Sequence, residues 1–222
     1  MTSEVWTSVD RYLCDTLLGK DSQMEEVLAR SANAGLPPIS VTPNQGKMLN
    51  LFLRMLNARR VLEIGTLGGY SAVWMARALP EYGKLITLEA DPHHAAVARE
   101  NFQLVGFSDR IELREGIAET SLAEIYEEDP TPFDLIFIDA DKPSNPAYFK
   151  WALKLSHPGT LIIVDNVVRA GEVIDPVSSD PSVQGVRALN ELIRQEKRVS
   201  ATAMQTVGEK GYDGFALIFV ND

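Results

Sequence analysis

Five short apolar runs, separated by segments with helical spacing, constrain the fold of this 222-residue chain more than any other feature. They are Arg60 to Gly65, Lys84 to Glu89, Arg110 to Glu115, Phe133 to Asp139 and Thr160 to Val164. Helices are expected over Ser71 to Leu79, Pro92 to Val105, Glu119 to Glu127, Asn145 to Leu155 and Ser182 to Glu196. Such alternation implies right-handed parallel crossovers with helices on both faces of one sheet. Two last runs, Ser200 to Val207 and Phe215 to Val220, flank a glycine-bearing link from Gly208 to Gly214. That link is too short for a crossover, so an antiparallel edge hairpin is expected. The expected class is α/β, a doubly wound, seven-stranded, mostly parallel sheet.

Three helices should precede the sheet, over Ser3 to Leu18, Asp21 to Ala34 and Pro43 to Asn57. No interdomain linker or repeat interrupts the pattern. We read residues 1–222 as a single domain, with 1–40 as an amino-terminal helical cap. No apolar stretch approaches bilayer length, and no secretory leader pattern opens the chain. Cys14 is the only cysteine, which excludes an intrachain disulfide and favours a reducing, cytoplasmic setting. A formal net charge of −10 argues against nucleic acid as a partner. No membrane partner is expected either.

Two polar clusters follow apolar runs. Asp139-Ala140-Asp141-Lys142 follows Phe133 to Ile138, and Asp165-Asn166 follows Leu161 to Val164. Ligands in open α/β sheets bind beyond the carboxyl ends of the strands. Parallel neighbours about 4.8 Å apart would bring three oxygen ligands and an ammonium together. Such oxygens suit Mg²⁺, Mn²⁺ or Ca²⁺. The competing reading is that each Asp caps the following helix.

The first strand runs into Glu63-Ile64-Gly65-Thr66-Leu67-Gly68-Gly69-Tyr70-Ser71. Glycines there let backbone amides approach a ligand. A dinucleotide fingerprint needs a second glycine where Leu67 stands, which counts against a pyrophosphate cradle. Glu89 ends the second strand at a distance suited to ribose hydroxyls. A nucleoside without a phosphate chain fits best, and S-adenosylmethionine answers that description.

Val61 to Ser71, Glu89, Gly116-Ile117-Ala118, Asp139 to Lys142 and Asp165-Asn166 occur in the order of a known family. The chain resembles the cation-dependent class I O-methyltransferases, which include caffeoyl-CoA and catechol O-methyltransferases, from about Ile39 to Val220. It looks most like the small bacterial members. The resemblance implies a Rossmann-like sheet. It implies metal ligands at Asp139, Asp165 and Asn166, with Mg²⁺ the first expectation and Mn²⁺ or Ca²⁺ open. Lys142 matches a general base or electrostatic guide, with Asp139 beside it in the catalytic set. Cofactor contacts are implied at Val41, Thr42, Glu63, Gly65, Thr66, Tyr70, Ser71, Glu89, Ala118, Asp139 and Tyr148. The implied partner is a small phenolic acceptor with vicinal hydroxyls. Plant relatives carry a tyrosine where this chain has Asn145, so acceptor identity does not transfer. A homodimer is expected, with Trp6 on a dimer face or an acceptor lid.

Other candidates have plainer readings. His93 and His94 point about 100° apart on a helix and suit its exposed first turn. His157 precedes Pro158-Gly159 and suits a turn; Trp74 and Trp151 suit the core. The segment Val167 to Pro181 reads as a mobile loop that shapes the acceptor site. Three alternatives remain open: a metal-independent methyltransferase, a non-enzymatic cofactor-binding module and a nicotinamide-dependent oxidoreductase.

Overall fold

Runs that are apolar at every position form the middle of the sheet, because strands flanked by helices are buried on both faces. The computed structural model describes residues 3–222, so residues 1 and 2 of the expected domain lie outside the described residues. Strands β1 (Arg60–Ile64), β2 (Lys84–Glu89), β3 (Ile111–Glu115), β4 (Phe133–Ile138), β5 (Ser156–Asp165), β6 (Val199–Gly208) and β7 (Gly211–Val220) form one sheet. Its order is β3-β2-β1-β4-β5-β7-β6. β1 to β5 are parallel, and β7 runs antiparallel between β5 and β6. The expected architecture is present.

Helices α1 (Ser3–Leu13), α2 (Ser22–Asn33), α3 (Pro43–Leu56), α4 (Tyr70–Ala76), α5 (Pro92–Leu104), α6 (Ala118–Glu128), α7 (Asn145–Lys154) and α8 (Pro181–Gln195) surround the sheet. Successive strand residues point to opposite faces, which divides the core in two. Val61, Leu85, Leu135 and Phe137 pack against α2 to α5. Leu62, Ile86, Ile136, Ile138 and Val164 pack against α6 to α8. The chain reverses its direction of sheet growth between β1 and β4. A crevice therefore opens beyond their carboxyl ends, the usual ligand position in such sheets.

Four details differ from the sequence expectation. The first helix stops at Leu13, and a π-helical turn, Cys14–Leu18, carries the chain to Gly19. β5 begins at Ser156, so His157-Pro158-Gly159 lies in a strand. Its proline is tolerated there because the β4–β5 register shifts between Phe133 and Leu135, freeing the ladder of one donor. The last two strands pair through Gly208 and Gly211, which reduces the expected link to Glu209-Lys210. Finally, the start of the segment after Asn166 is packed, while Ile174 and Val177 further along it are exposed. Val167 and Val168 are buried, and a 3-10 turn spans Arg169–Ile174. No helix among the described residues is long and apolar enough to cross a membrane.

Candidate active site

The turn after β1 is held from both neighbouring strands. Gly65 has φ +100°, and a Cβ there would collide with the Asp139 carbonyl oxygen, so only glycine lets this turn rest on the exit of β4. From β2, Glu89 Oε2 accepts the backbone N–H groups of Thr66 at 3.2 Å and Leu67 at 2.7 Å. Its Oε1 accepts the Asp91 N–H at 2.9 Å. Glu89 thus fastens the glycine turn and remains half-buried beside open ground. A Cβ on Gly116 would meet nothing within 4 Å, and neighbouring Ile117 is 72% exposed. Half-buried Ala118 follows as the first residue of α6.

Three residues of the expected cofactor set turn inward. Glu63 is 0% exposed, on the same sheet face as Val61. It accepts hydrogen bonds from Ser71 Oγ and Thr87 Oγ1, each at 2.5 Å. Burial, reinforced by the charges of Asp139 and Glu89, pushes its pKa up to about 8, although the two hydroxyls oppose the shift. Thr66 is buried with its hydroxyl 2.5 Å from that of Thr87. Tyr70 packs edge-on against Trp74 in the core. Ser71, at 8% exposure, is the outermost member of this network.

Ile138 and Val164 are register partners, so Asp139 and Asp165 leave adjacent strands at the same level. Lys142 is 7% exposed and its Nζ donates to Asp139 Oδ1 at 2.9 Å. Asp141 has other work: it accepts from Tyr148 Oη at 2.6 Å and caps the following turn through the Ser144 N–H. Asp165 is 6% exposed; burial first, then the Asp139 charge, pushes its pKa well above the usual carboxylate range. Its Oδ1 accepts the Asn166 N–H at 2.9 Å, and Asn166 sits in the left-handed region at φ 57°. Its Oδ2 accepts from Gln45 Nε2 at 2.7 Å. Asn145, in the position of the plant tyrosine, is fully buried with neither amide atom partnered.

Asp165 and Asn166 open into a cavity of about 330 Å³. Val41 and Thr42 line it from the segment entering α3, where Thr42 Oγ1 caps the helix by accepting from the Gln45 N–H. Ile39, Met48 and Phe215 supply apolar wall, and the β6–β7 hairpin closes the far side with Lys210 and Tyr212. Among the residues after Asn166 in the expected acceptor loop, none lines the cavity. Gln45 and Lys210 carry no local motif. They reach the site only through packing of α3 and the hairpin, so sequence reading passes over both. No group of three or more His, Cys, Asp or Glu gathers among the described residues. The candidate cation donors are two carboxylates and an amide.

The family model described as O-methyltransferase matches residues 16–218. The chain belongs to the O-methyltransferase family. A curated catechol O-methyltransferase of Niastella koreensis is 50% identical over 220 residues, 99% of this chain and 100% of that protein. The O-methyltransferase of Bacillus cereus, solved in complex with SAH, superposes with a TM-score of 0.98 at 57% identity, covering 99% of this chain and 100% of that one. An O-methyltransferase of Streptomyces achromogenes, involved in tomaymycin synthesis and solved with SAM, gives 0.96 at 44% identity, with both chains fully covered. This O-methyltransferase therefore shares fold and family with them over essentially its full length.

Proposed function

We propose that this O-methyltransferase moves the methyl group of S-adenosylmethionine to one oxygen of a catechol-like acceptor, with a divalent cation at Asp139, Asp165 and Asn166. One observation carries the reading. Two carboxylates leave adjacent parallel strands at one level, a buried lysine pairs with one of them, and Asp165 and Asn166 line the neighbouring cavity. The donor set fits a hard cation, since carboxylate and amide oxygens suit Mg²⁺. Neighbouring carboxylates repel one another, which together with burial raises the Asp165 carboxyl above the usual carboxylate range. A bound cation would remove that repulsion. It would also lower the pKa of a phenol, otherwise near 10.

The cofactor fits the opposite side of the crevice. The Glu89 carboxylate and the open floor over Gly116, Ile117 and Ala118 suit a ribose and a purine, with exposed Ile117 as an apolar stacking surface. Ser71 and the glycine turn held by Glu89 stand at the methionine end. Glu63 and Thr66 act through Ser71 and Thr87 rather than by touching the ligand, and Tyr70 supports the turn from beneath. S-adenosylmethionine supplies an electrophilic methyl on a sulfonium. The protein must then deliver a phenolic oxygen in line with it. Lys142 Nζ stands beside Asp139, where as an ammonium it stabilises the phenolate and as the neutral amine it would take the phenol's proton. Val41 and Thr42 help exclude water from the amino-terminal side.

We propose a homodimer as the assembly, with the second copy covering Val5, Val9 and Tyr12 of α1. All three are exposed, and no residue of α1 is buried. The functional reading is tested by Asp165→Ala. Turnover of a catechol should vanish while calorimetry still detects S-adenosylmethionine binding. Turnover at the wild-type rate would remove Asp165 from the chemistry.

A further inference from the structure

One cation faces the acceptor cavity. Among the described lining residues, Lys210 is the only lysine or arginine; Asp10, Asp165 and Asp213 are the acids. Asp10 Oδ2 accepts the Glu209 N–H at 2.7 Å, and Asp213 Oδ1 accepts the N–H groups of Val168 and Arg169 at 2.9 and 3.0 Å. Asp165 belongs to the proposed cation site. Lys210 makes no ion pair with a described residue.

The backbone beneath Lys210 is nevertheless fixed. It occupies the two-residue link between β6 and β7, whose tip is tied to α1 by the Asp10–Glu209 hydrogen bond. Asp10 Oδ1 also accepts from Asn44 Nδ2 at 3.4 Å, which joins the hairpin to the start of α3 on the opposite wall. Lys210 is exposed as a residue, yet its ammonium is partly desolvated, which pushes its pKa down. Asp139, Glu209 and Asp165 pull in the other direction. Lys210 thus shares the cavity lining with Asp165 without an ion pair to it among the described residues. With Asp139 and Asp165 taken up by a divalent cation, Lys210 would be the cation of the cavity lining left without an acidic partner, and an ammonium on a fixed backbone link gains a charge-assisted hydrogen bond from an anionic group placed against it.

We propose that Lys210 selects acceptors carrying a carboxylate away from the vicinal hydroxyls, pairing with that carboxylate while the hydroxyls lie at Asp165 and Asn166. This rests on the O-methyltransferase reading above and narrows its acceptor to an anionic catechol. The apolar wall of Ile39, Met48 and Phe215 takes the ring. About 330 Å³ is at the small end for ligand sites, room for one ring and a short tail.

The test compares 3,4-dihydroxybenzoate with neutral 4-methylcatechol, using wild type, Lys210→Met and Lys210→Arg with Mg²⁺ and S-adenosylmethionine. Lys210→Met should raise KM for the benzoate about tenfold or more, the usual scale for a lost charged hydrogen bond. Its kcat should hold, since the contact is made equally before and during reaction. Lys210→Arg should restore the benzoate KM, and 4-methylcatechol kinetics should be the same in all three proteins. Equal KM changes for both acceptors, or none for either, would overturn the proposal while leaving methyl transfer intact. A wild type that methylates neither acceptor would instead overturn the underlying reading, and this proposal with it.

Discussion

Glu63 shows how far a single side chain can depart from its apparent role. An acid at a strand end beside a glycine turn invites a ligand contact, but strand alternation puts Glu63 on the face covered by α4, where Ser71 and Thr87 enclose it. An unfolded Glu loses its proton near pH 4.3, whereas folded Glu63 keeps it to about 8. Between those values the native state binds a proton that the unfolded state has released, so its contribution to stability falls as pH rises. Across that window the loss is at most about 1.4 kcal/mol for each tenfold fall in proton concentration. Urea unfolding at pH 5 and pH 8 should show wild type losing stability at the higher pH and Glu63→Gln losing much less; parallel behaviour would exclude this origin. Gln45 makes a second case. Its amide fixes Asp165 Oδ2 across 120 residues of sequence, a contact no local pattern announces. Gln45→Ala should weaken Mn²⁺ binding about tenfold by calorimetry, the scale of one lost hydrogen bond to a charged group. Unchanged affinity would mean that Asp165 orients itself. Asp139, Lys142 and Asp165 were legible because strand ends present side chains to a predictable place; Gln45 and Lys210 were not, because tertiary packing delivers them.

Elements were legible where pattern and punctuation agree. β2 spans Lys84–Glu89 as expected, and α3 ends on Asn57 in the left-handed conformation. The misreadings share a cause. Proline and glycine at 157–159 and glycines at 208–214 signal turns, but partner strands provided register for both segments and made them strand. The segment after Asn166 reads as loose throughout, yet Arg187 donates to the Val173 carbonyl at 2.7 Å and the Asp213 carboxylate caps its start, so neighbours hold its first half, while Ile174 and Val177 beyond are exposed. Packing between elements also protects Lys142, the proposed base. α8 lies so close to the Lys142 carbonyl that a Cβ on Gly185 would collide with it. Gly185→Ala should therefore cost about 1–3 kcal/mol, typical of overpacking, and lower kcat by moving Lys142. Thermal unfolding and steady-state kinetics check both; a variant matching wild type in each would show that α8 can shift away without consequence.

The whole molecule places its chemistry at a boundary. The sheet order reverses between β1 and β4, with the proposed cofactor-facing groups at the ends of β1 and β2 and the proposed cation ligands at the ends of β4 and β5. That division was readable from the alternation of strands and helices. Which surfaces meet a second copy was not, because an amphipathic helix reads the same whether its own chain or another covers it. Charge at Val9, 49% exposed on the outer face of α1, should separate the proposed dimer. Val9→Asp sedimenting as a monomer would agree; a monomeric wild type would rule the interface out. The central claim concerns the cation. The direct measurement is methyl transfer from S-adenosylmethionine to 4-methylcatechol, followed by mass spectrometry of the product, with metal-free protein in excess chelator and again after Mg²⁺ is restored. No methylated product should form under chelation, and turnover should recover fully with Mg²⁺. Undiminished turnover in the chelated sample would contradict the claim.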